Sequence, residues 1–205
     1  MHDPSDTKAP HKFHASEAAR LLDPRRTTDL APAALLDALQ VQPGNRIADI
    51  GCGNGFWLEH LMDLAPEGVR FEALDVSPGM LQALEQRLAH HPRWKDVTAR
   101  LSEESRLPLA DGTVDASLLA NVHHELDDRV AFLREVLRVL VPGGRLALVD
   151  WEVPPEGVVP DRGPPVDHRV SRDTAIRELE EAGFQDIGSI PTSRDFHGLI
   201  GRRPR

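Results

Sequence analysis

Cysteine is almost absent from this sequence, since Cys52 is the only one among 205 residues. A single thiol excludes an intramolecular disulfide and a cysteine-rich zinc site. A protein without disulfides suits a reducing compartment, and we expect a cytoplasmic location.

Long apolar segments and an excess of positive charge are also missing. The sequence has no run of about 18 apolar residues, so we expect no transmembrane helix and no membrane partner. The polar segment Met1–His14 lacks the apolar core of a secretory signal, and we expect residues 1–14 to be flexible. The formal net charge of −9 disfavours a nucleic-acid partner.

What is present from Arg46 onward is an alternation of short apolar segments with helix-like segments. Strands that alternate with helices pair in parallel through right-handed crossovers. The last two segments are joined by so short a connection that they must pair antiparallel. The pattern predicts a Rossmann-like α/β fold: a seven-stranded, mostly parallel sheet with a C-terminal antiparallel hairpin and helices on both faces. The predicted strands are Arg46–Ile50, Val69–Leu74, Val97–Leu101, Val114–Leu119, Arg145–Val149, Phe184–Ile190 and Asp195–Ile200.

Helical spacing of apolar residues predicts helices over Ala15–Leu22 and Asp29–Gln40, before the first strand. The Pro142-Gly143-Gly144 sequence is expected to end the helix that precedes the fifth strand. Residues 154–168 are rich in proline and glycine and predict a long loop, a candidate lid. We expect a single domain over residues 15–205. Its parts are a helical lid at 15–42, a core at 43–151 and a C-terminal part at 152–205.

The strongest local signal is the segment Ile47–Gly55, in which a strand leads through three alternating glycines into a helix. Without Cβ atoms such a turn lets a ligand approach the backbone, and the following helix adds N–H donors. The spacing Gly-x-Gly-x-Gly is one residue shorter than the dinucleotide fingerprint Gly-x-Gly-x-x-Gly. This difference disfavours a nicotinamide-dependent oxidoreductase.

A second signal is Asp75, which ends the second strand twenty residues after Gly55. A carboxylate in this position can accept hydrogen bonds from both hydroxyls of a ribose. The alternative is that Asp75 caps the turn near Ser77. Together with the glycine loop, the carboxylate favours a ligand that contains a ribose.

Four segments, in this order and spacing, resemble the class I S-adenosylmethionine (SAM)-dependent methyltransferases. The resemblance implies an enzyme that uses SAM as cofactor and releases S-adenosylhomocysteine (SAH). The segments lie within residues 43–151 and read IADIGCGNG, ALDVSPGML, RLPLADGTVDASLLANVHHEL and LREVLRVLVPGGRLALVDW.

The same resemblance implies the residues that contact the cofactor. Asp49 suits the ammonium group of the methionine part, and Asp75 the ribose. Cys52 is a small loop residue rather than a nucleophile. Either Glu103 or Glu104 meets the adenine amino group, unless both are solvated. The expected set is Asp49, Gly51, Cys52, Gly53, Gly55, Asp75, Val76, Met80, Glu103, Glu104, Asn121 and Val122.

Methyl transfer from a sulfonium needs an aligned nucleophile, and a general base only if the acceptor is protonated. His123 and His124 follow the fourth strand, at the edge where ligands bind in such sheets, and are the candidate bases. The alternative is that one packs or caps the following helix while the other faces solvent. Neighbouring side chains on an extended segment point in opposite directions, so His123 and His124 are poorly placed to bind one metal ion. We therefore expect no metal site.

Other side chains are candidates for the walls and the cover of the acceptor site. Asp150 and Trp151 end the fifth strand, and His168 lies in the proline-rich loop; each is otherwise explained by loop packing or a turn cap. The residues that precede the core and are candidates for a lid over the cofactor are Phe13, His14, Arg25 and Arg26.

We expect the acceptor to be a small molecule with an oxygen, nitrogen or carbon nucleophile. Arsenite is excluded because one cysteine cannot supply the several thiols that hold arsenic. A protein that binds SAM or SAH without turnover is the alternative, because methyl transfer demands few diagnostic side chains.

Overall fold

The computed structural model describes residues 25–205. The predicted helix Ala15–Leu22, the predicted flexible segment 1–14, and the lid candidates Phe13 and His14 lie outside the described residues. Seven strands form one sheet. They are β1 (Arg46–Ile50), β2 (Arg70–Asp75), β3 (Val97–Leu101), β4 (Val114–Ala120), β5 (Leu140–Trp151), β6 (Gln185–Ile190) and β7 (Phe196–Arg202).

The strand order is β3-β2-β1-β4-β5-β7-β6. Strands β1 to β5 pair in parallel, whereas β7 pairs antiparallel with both β5 and β6. The predicted fold class, with its C-terminal antiparallel hairpin, is confirmed.

Helices cover both faces of the sheet because neighbouring strand residues point to opposite sides. Ile47 belongs to a buried cluster that includes residues of the helices Pro32–Leu39, Phe56–Leu64 and Pro78–Leu88. Ala48 belongs to a second buried cluster, with residues of the helices Arg129–Val139 and Arg172–Ala182. Among the described helices, none is long and apolar enough to cross a membrane. The helices are α1 (Arg25–Leu30), α2 (Pro32–Leu39), α3 (Phe56–Leu64), α4 (Pro78–Leu88), α5 (Arg129–Val139) and α6 (Arg172–Ala182).

The predicted helix over Asp29–Gln40 is present but begins later, at Pro32, because the chain breaks between α1 and α2. Ala31 adopts a left-handed conformation with φ of 40°. Proline disfavours the helical conformation in the residue before it and has no N–H to continue the hydrogen-bond ladder. Pro32 therefore begins a new helix instead of lying inside an existing one.

The fifth strand is longer than predicted. Helix α5 ends at Val139, and β5 already includes the Pro142-Gly143-Gly144 sequence. Gly143 N donates to Arg203 O at 3.1 Å, and Arg203 N donates to Gly144 O at 2.8 Å. These bonds to the C-terminal segment hold an irregular stretch of strand where local sequence predicts only a turn.

The strand order creates a crevice at the carboxyl edge of the sheet. The chain runs outward from β1 to β2 and β3, then returns to the other side of β1 with β4. Connections leave β1 and β4 in opposite directions, and ligands bind in the opening between them. The segments that follow β1, β2 and β4 all meet at this edge.

Candidate functional site

A cavity of about 1320 Å³ opens at the carboxyl edge of the sheet. Single-ligand pockets measure roughly 300–1,000 Å³, so this cavity has room for a second molecule beside a cofactor. Residues after β1, β2 and β4 form its floor. Parts of α1, and residues 159–166 from the proline-rich loop, form its walls.

The glycine loop is fixed by two properties of Gly51. Its φ is +72°, in the left-handed region, and an added Cβ would lie 2.3 Å from Val122 Cγ2. The N–H groups of Gly51 and Cys52 both donate to Leu74 O, at 2.8 and 2.9 Å. The turn therefore depends on the missing side chain and is tied to the end of β2.

The expected contact of Gly55 with the cofactor is not supported, since Gly55 is not among the residues that line the cavity. Its φ is +87°, and an added Cβ would lie 2.3 Å from Leu84 Cδ1 and 2.8 Å from Leu88 Cδ1. Gly55 therefore allows the start of α3 to pack closely against α4. The third glycine of the motif serves packing.

Asp75 lies at the cavity with both carboxylate oxygens oriented by the backbone. Its Oδ2 accepts from Gly53 N and its Oδ1 accepts from Ser77 N, each at 2.8 Å. The turn-capping alternative is thus part of its role. Each oxygen of a carboxylate has a second acceptor site, so two ribose hydroxyls can bind the same group.

Asp49 does not line the cavity itself but lies just beneath the lining residues Ile50 and Gly51, where it is 2% exposed. Its Oδ2 has no hydrogen-bond partner among the described residues. Burial and the nearby Asp75 raise the pKa of Asp49 to about 7, against the lowering effect of Arg26. A buried, unsatisfied carboxylate is costly unless a ligand completes it. An ammonium group is the matching partner, so the residues present fit SAM.

Most of the other expected cofactor residues line the cavity. Cys52 is buried, and burial together with the carboxylates of Asp49 and Asp75 raises the pKa of its thiol, which argues against a nucleophile. The remaining lining residues of the expected set are Gly53, Val76, Met80, Glu103, Glu104, Asn121 and Val122.

The two adjacent histidines have different environments. A single 3-10 turn over His123–Glu125 directs His124 to the cavity, where its Nδ1 lies 2.7 Å from Asp150 Oδ1. Burial alone would lower the pKa of His124, but the charge and hydrogen bond of Asp150, with Glu125, raise it. Asp150 is fully buried and lies behind His124, so it orients the imidazole instead of lining the pocket as expected.

His123 is not supported as a base. Its side chain is fully buried, does not line the cavity, and has Nε2 3.0 Å from Glu178 Oε2 on α6. Arg129 Nε donates to the same carboxylate at 2.8 Å. The packing alternative therefore describes His123, whereas His124 is the histidine that faces the cavity.

The proline-rich loop forms a wall of the cavity, and an arginine pins it in place. Arg162 donates to Asp29 Oδ2 at 2.5 Å and to Asp195 Oδ2 at 2.8 Å. Trp151 lines the cavity as expected, but His168 does not. His168 lies instead in a short 3-10 turn that follows the lining segment. Whether the loop opens as a lid stays a prediction.

Sequence reasoning missed three residues within and just after the glycine loop. Asn54 lines the cavity from inside the loop, and Phe56 and Trp57 line it from the start of α3. Their position at the start of a helix that faces the crevice is the signal that identifies them. Arg25 and Arg26, the lid candidates within the described residues, also line the cavity.

No group of three or more His, Cys, Asp or Glu side chains within residues 25–205 is arranged to hold a metal ion.

Comparisons with known proteins agree with this geometry. Residues 48–148 match the family described as Methyltransferase domain. A solved SAM-dependent methyltransferase from Aquifex aeolicus is 30% identical, with a TM-score of 0.84 over 94% of this chain and 100% of that chain.

Two curated relatives are similar over the core. Demethylmenaquinone methyltransferase of Beutenbergia cavernae is 36% identical over 122 residues, which cover 60% of this chain and 47% of that protein. Malonyl-[acyl-carrier protein] O-methyltransferase of Hahella chejuensis is 41% identical over 100 residues, which cover 49% of this chain and 34% of that protein. The chain spans less than half the length of these relatives. The likeness to the Aquifex aeolicus enzyme over 94% of this chain, with the family match over residues 48–148, shows that this chain belongs to the SAM-dependent methyltransferase family.

Proposed function

We propose that this protein methylates a small molecule at an oxygen, nitrogen or carbon nucleophile, and that His124 removes the acceptor's proton. The observation that carries the proposal is the His124–Asp150 pair on the wall of the cavity that contains the glycine loop. The cavity volume supports room for an acceptor beside the cofactor.

SAM, when bound, supplies an activated methyl group and a leaving group that departs neutral, so no general acid is required. The chain's part is to hold and orient. Asp75 would bind the ribose, and Asp49 the ammonium group, directly or through water. The proposed contact set is Asp49, Gly51, Cys52, Gly53, Asp75, Val76, Met80, Glu103, Glu104, Asn121 and Val122.

The base acts through the ring nitrogen that Asp150 does not hold. With Nδ1 bonded to Asp150, the neutral imidazole keeps Nε2 as a proton acceptor. The carboxylate of Asp150 stabilises the imidazolium that forms when the acceptor's proton is taken. An adjacent wall of Trp151, Phe132 and Val166 supports an acceptor with an apolar body.

The names of the curated relatives guide the choice of acceptors to test. One is named for demethylmenaquinone and the other for O-methylation of a malonyl group. A suitable panel contains hydroquinones, catechols, amines and carboxylic acids, assayed with SAM labelled in its methyl group. Labelled product from one class supports turnover, whereas SAH binding without any product would favour a binding protein.

With the best acceptor, His124→Gln is expected to lower kcat by about 10²–10⁴-fold, the range for loss of a general base. The base works only when neutral, so wild-type activity should fall as pH drops through the raised pKa of His124, above the usual histidine value of about 6.5. Asp150→Asn removes the main raising charge and leaves burial to lower the pKa. The acid limb of the pH–activity profile of Asp150→Asn should therefore move to lower pH. The kcat of this variant should also be smaller than that of the wild type.

The control is His90→Gln, which changes an exposed histidine beyond the end of α4. It should leave both kcat and the pH profile unchanged. A His124→Gln enzyme with wild-type kcat, or an Asp150→Asn profile that keeps the wild-type acid limb, would contradict the proposed base.

A further inference from the structure

Carboxylates outnumber cations around the cavity. Among the described residues that line it, seven are Asp or Glu and three are Arg. Arg162 is one of the three, and its charge is already balanced because it donates to Asp29 Oδ2 at 2.5 Å and to Asp195 Oδ2 at 2.8 Å. A cavity lined mainly by one sign of charge draws in ligands of the opposite sign.

Much of this negative charge lies on the segment that contains the candidate base. Three of the carboxylates follow closely after His124 in the chain, and they are Glu125, Asp127 and Asp128. Asp128 also caps α5, where its Oδ1 accepts from a backbone N–H at 2.9 Å. A fourth carboxylate, Asp161, belongs to the proline-rich loop that forms a wall of the same cavity.

Glu125 stands beside the ring nitrogen that would take up the acceptor's proton. Nδ1 of His124 is held by Asp150, whereas Nε2 lies 3.7 Å from Glu125 Oε1, which is too far for a hydrogen bond. Among the described residues, none forms a hydrogen bond with this Nε2. The side chain of His124 is only 7% exposed and lines the cavity, so a group that binds Nε2 from the cavity also meets Glu125.

This pair suits some acceptor groups and disfavours others. A carboxylic acid is already ionised at neutral pH, so it needs no base, and the surrounding carboxylates repel it. A phenol needs a base, but the nearby negative charge of Glu125 opposes its ionisation. A protonated amine is attracted by Glu125, and it gains a nucleophilic lone pair only when a base removes a proton.

We propose that the methyl acceptor is a primary or secondary amine with an apolar body, and that Glu125 binds its ammonium group beside His124. The apolar wall of Trp151, Phe132 and Val166 then takes the carbon skeleton. The inference rests on the proposed function, since it assumes methyl transfer with His124 as the base.

The proposed step moves one proton and one methyl group. An N–H proton of the ammonium group passes to Nε2 of His124, and the lone pair that this frees forms the new N–C bond to the methyl carbon. The S–C bond breaks with its electron pair left on sulfur. The product is a methylated ammonium ion with one positive charge, and the proton on His124 passes to solvent.

The test compares acceptors that share one apolar body, assayed with SAM labelled in its methyl group. One set contains 2-phenylethylamine, 2-phenylethanol, 4-ethylphenol and 3-phenylpropanoate, and a second set replaces phenyl with naphthyl. We expect the amine of at least one set to have a kcat/KM about 10-fold or more above the other members, the factor for one charge-assisted contact.

Glu125→Gln should raise the KM for that amine by about 10- to 100-fold. At a pH above the acid limb, its kcat and its KM for SAM should be little changed. Glu125→Asp should recover part of the loss because it keeps the charge. The control is Glu67→Gln, which removes an exposed charge in the turn between α3 and β2 and should change neither KM.

Two results would overturn the role of Glu125. They are an unchanged KM for the amine in Glu125→Gln, and a rise matched by an equal rise in the KM for SAM, which would indicate a structural role. Preferential methylation of a phenol or an acid would overturn the amine acceptor and leave the proposed methylation standing. Product from no acceptor of either set or of the wider panel would contradict the proposed function as well.

Discussion

Gly51→Ala is expected to destabilise the fold by about 2–5 kcal/mol and to abolish measurable SAH binding. Forcing an L-residue into the left-handed region costs roughly 1–2 kcal/mol, and overpacking a tight site costs typically 1–3 kcal/mol. Both terms apply because φ is +72° and the new Cβ would meet Val122 Cγ2 at 2.3 Å. Chemical denaturation and calorimetry with SAH measure the two effects.

Gly44→Ala is the matched control, because its φ is +87° but nothing lies within 4 Å of an added Cβ. It should lose only the conformational part, about 1–2 kcal/mol, and keep SAH binding. Adding Val122→Ala to Gly51→Ala should recover the part of the lost folding stability that comes from overpacking. If Gly51→Ala were no more destabilising than Gly44→Ala, the close approach of Gly51 to Val122 would be wrong.

Asp75→Asn is expected to weaken SAH binding by about 100-fold or more. Hydrogen bonds to a charged group contribute roughly 1.5–3 kcal/mol each, and two ribose hydroxyls are involved. An amide also has only one acceptor oxygen, so it cannot accept from both Gly53 N and Ser77 N as the carboxylate does. The glycine loop would lose an anchor along with the ligand contact.

The comparison for Asp75→Asn is Glu85→Gln, a charge removal on the exposed side of α4. Thermal unfolding without ligand separates a folding defect from a binding defect. A folded Asp75→Asn protein that bound SAH as tightly as the wild type would rule out the ribose contact.

The parts of the fold that sequence predicted well are those set by local chemistry. The predicted bounds of Arg46–Ile50 and Val97–Leu101 match the observed strands. Ser77 and Ser171, a residue type that favours the helix N-cap, each accept from the N–H three residues ahead. Gly183 ends α6 in a left-handed conformation. Such signals need only a few neighbouring residues.

The errors arose where distant segments decide the structure. The extension of β5 depends on bonds to Arg203, at the far end of the chain. The choice between His123 and His124 depends on Asp150 from the neighbouring strand and Glu178 from α6. Periodicity contains none of these partners, so the sequence identified the pair of histidines but not which one faces the cavity.

The glycine motif shows the same limit inside a contiguous segment. All three glycines have positive φ. However, a Cβ added at Gly51 would meet Val122, whereas a Cβ added at Gly55 would meet side chains of α4. A glycine motif predicts the conformation of a turn. Only the packed structure shows which neighbours each glycine contacts.

A crystal structure of the protein with SAH bound tests the central claim most directly. The ribose hydroxyls are expected within about 3 Å of the Asp75 carboxylate oxygens, with the amino-acid part lying over Gly51 and Gly53. SAH bound elsewhere in the cavity, with Asp75 contacting only the backbone, would contradict it.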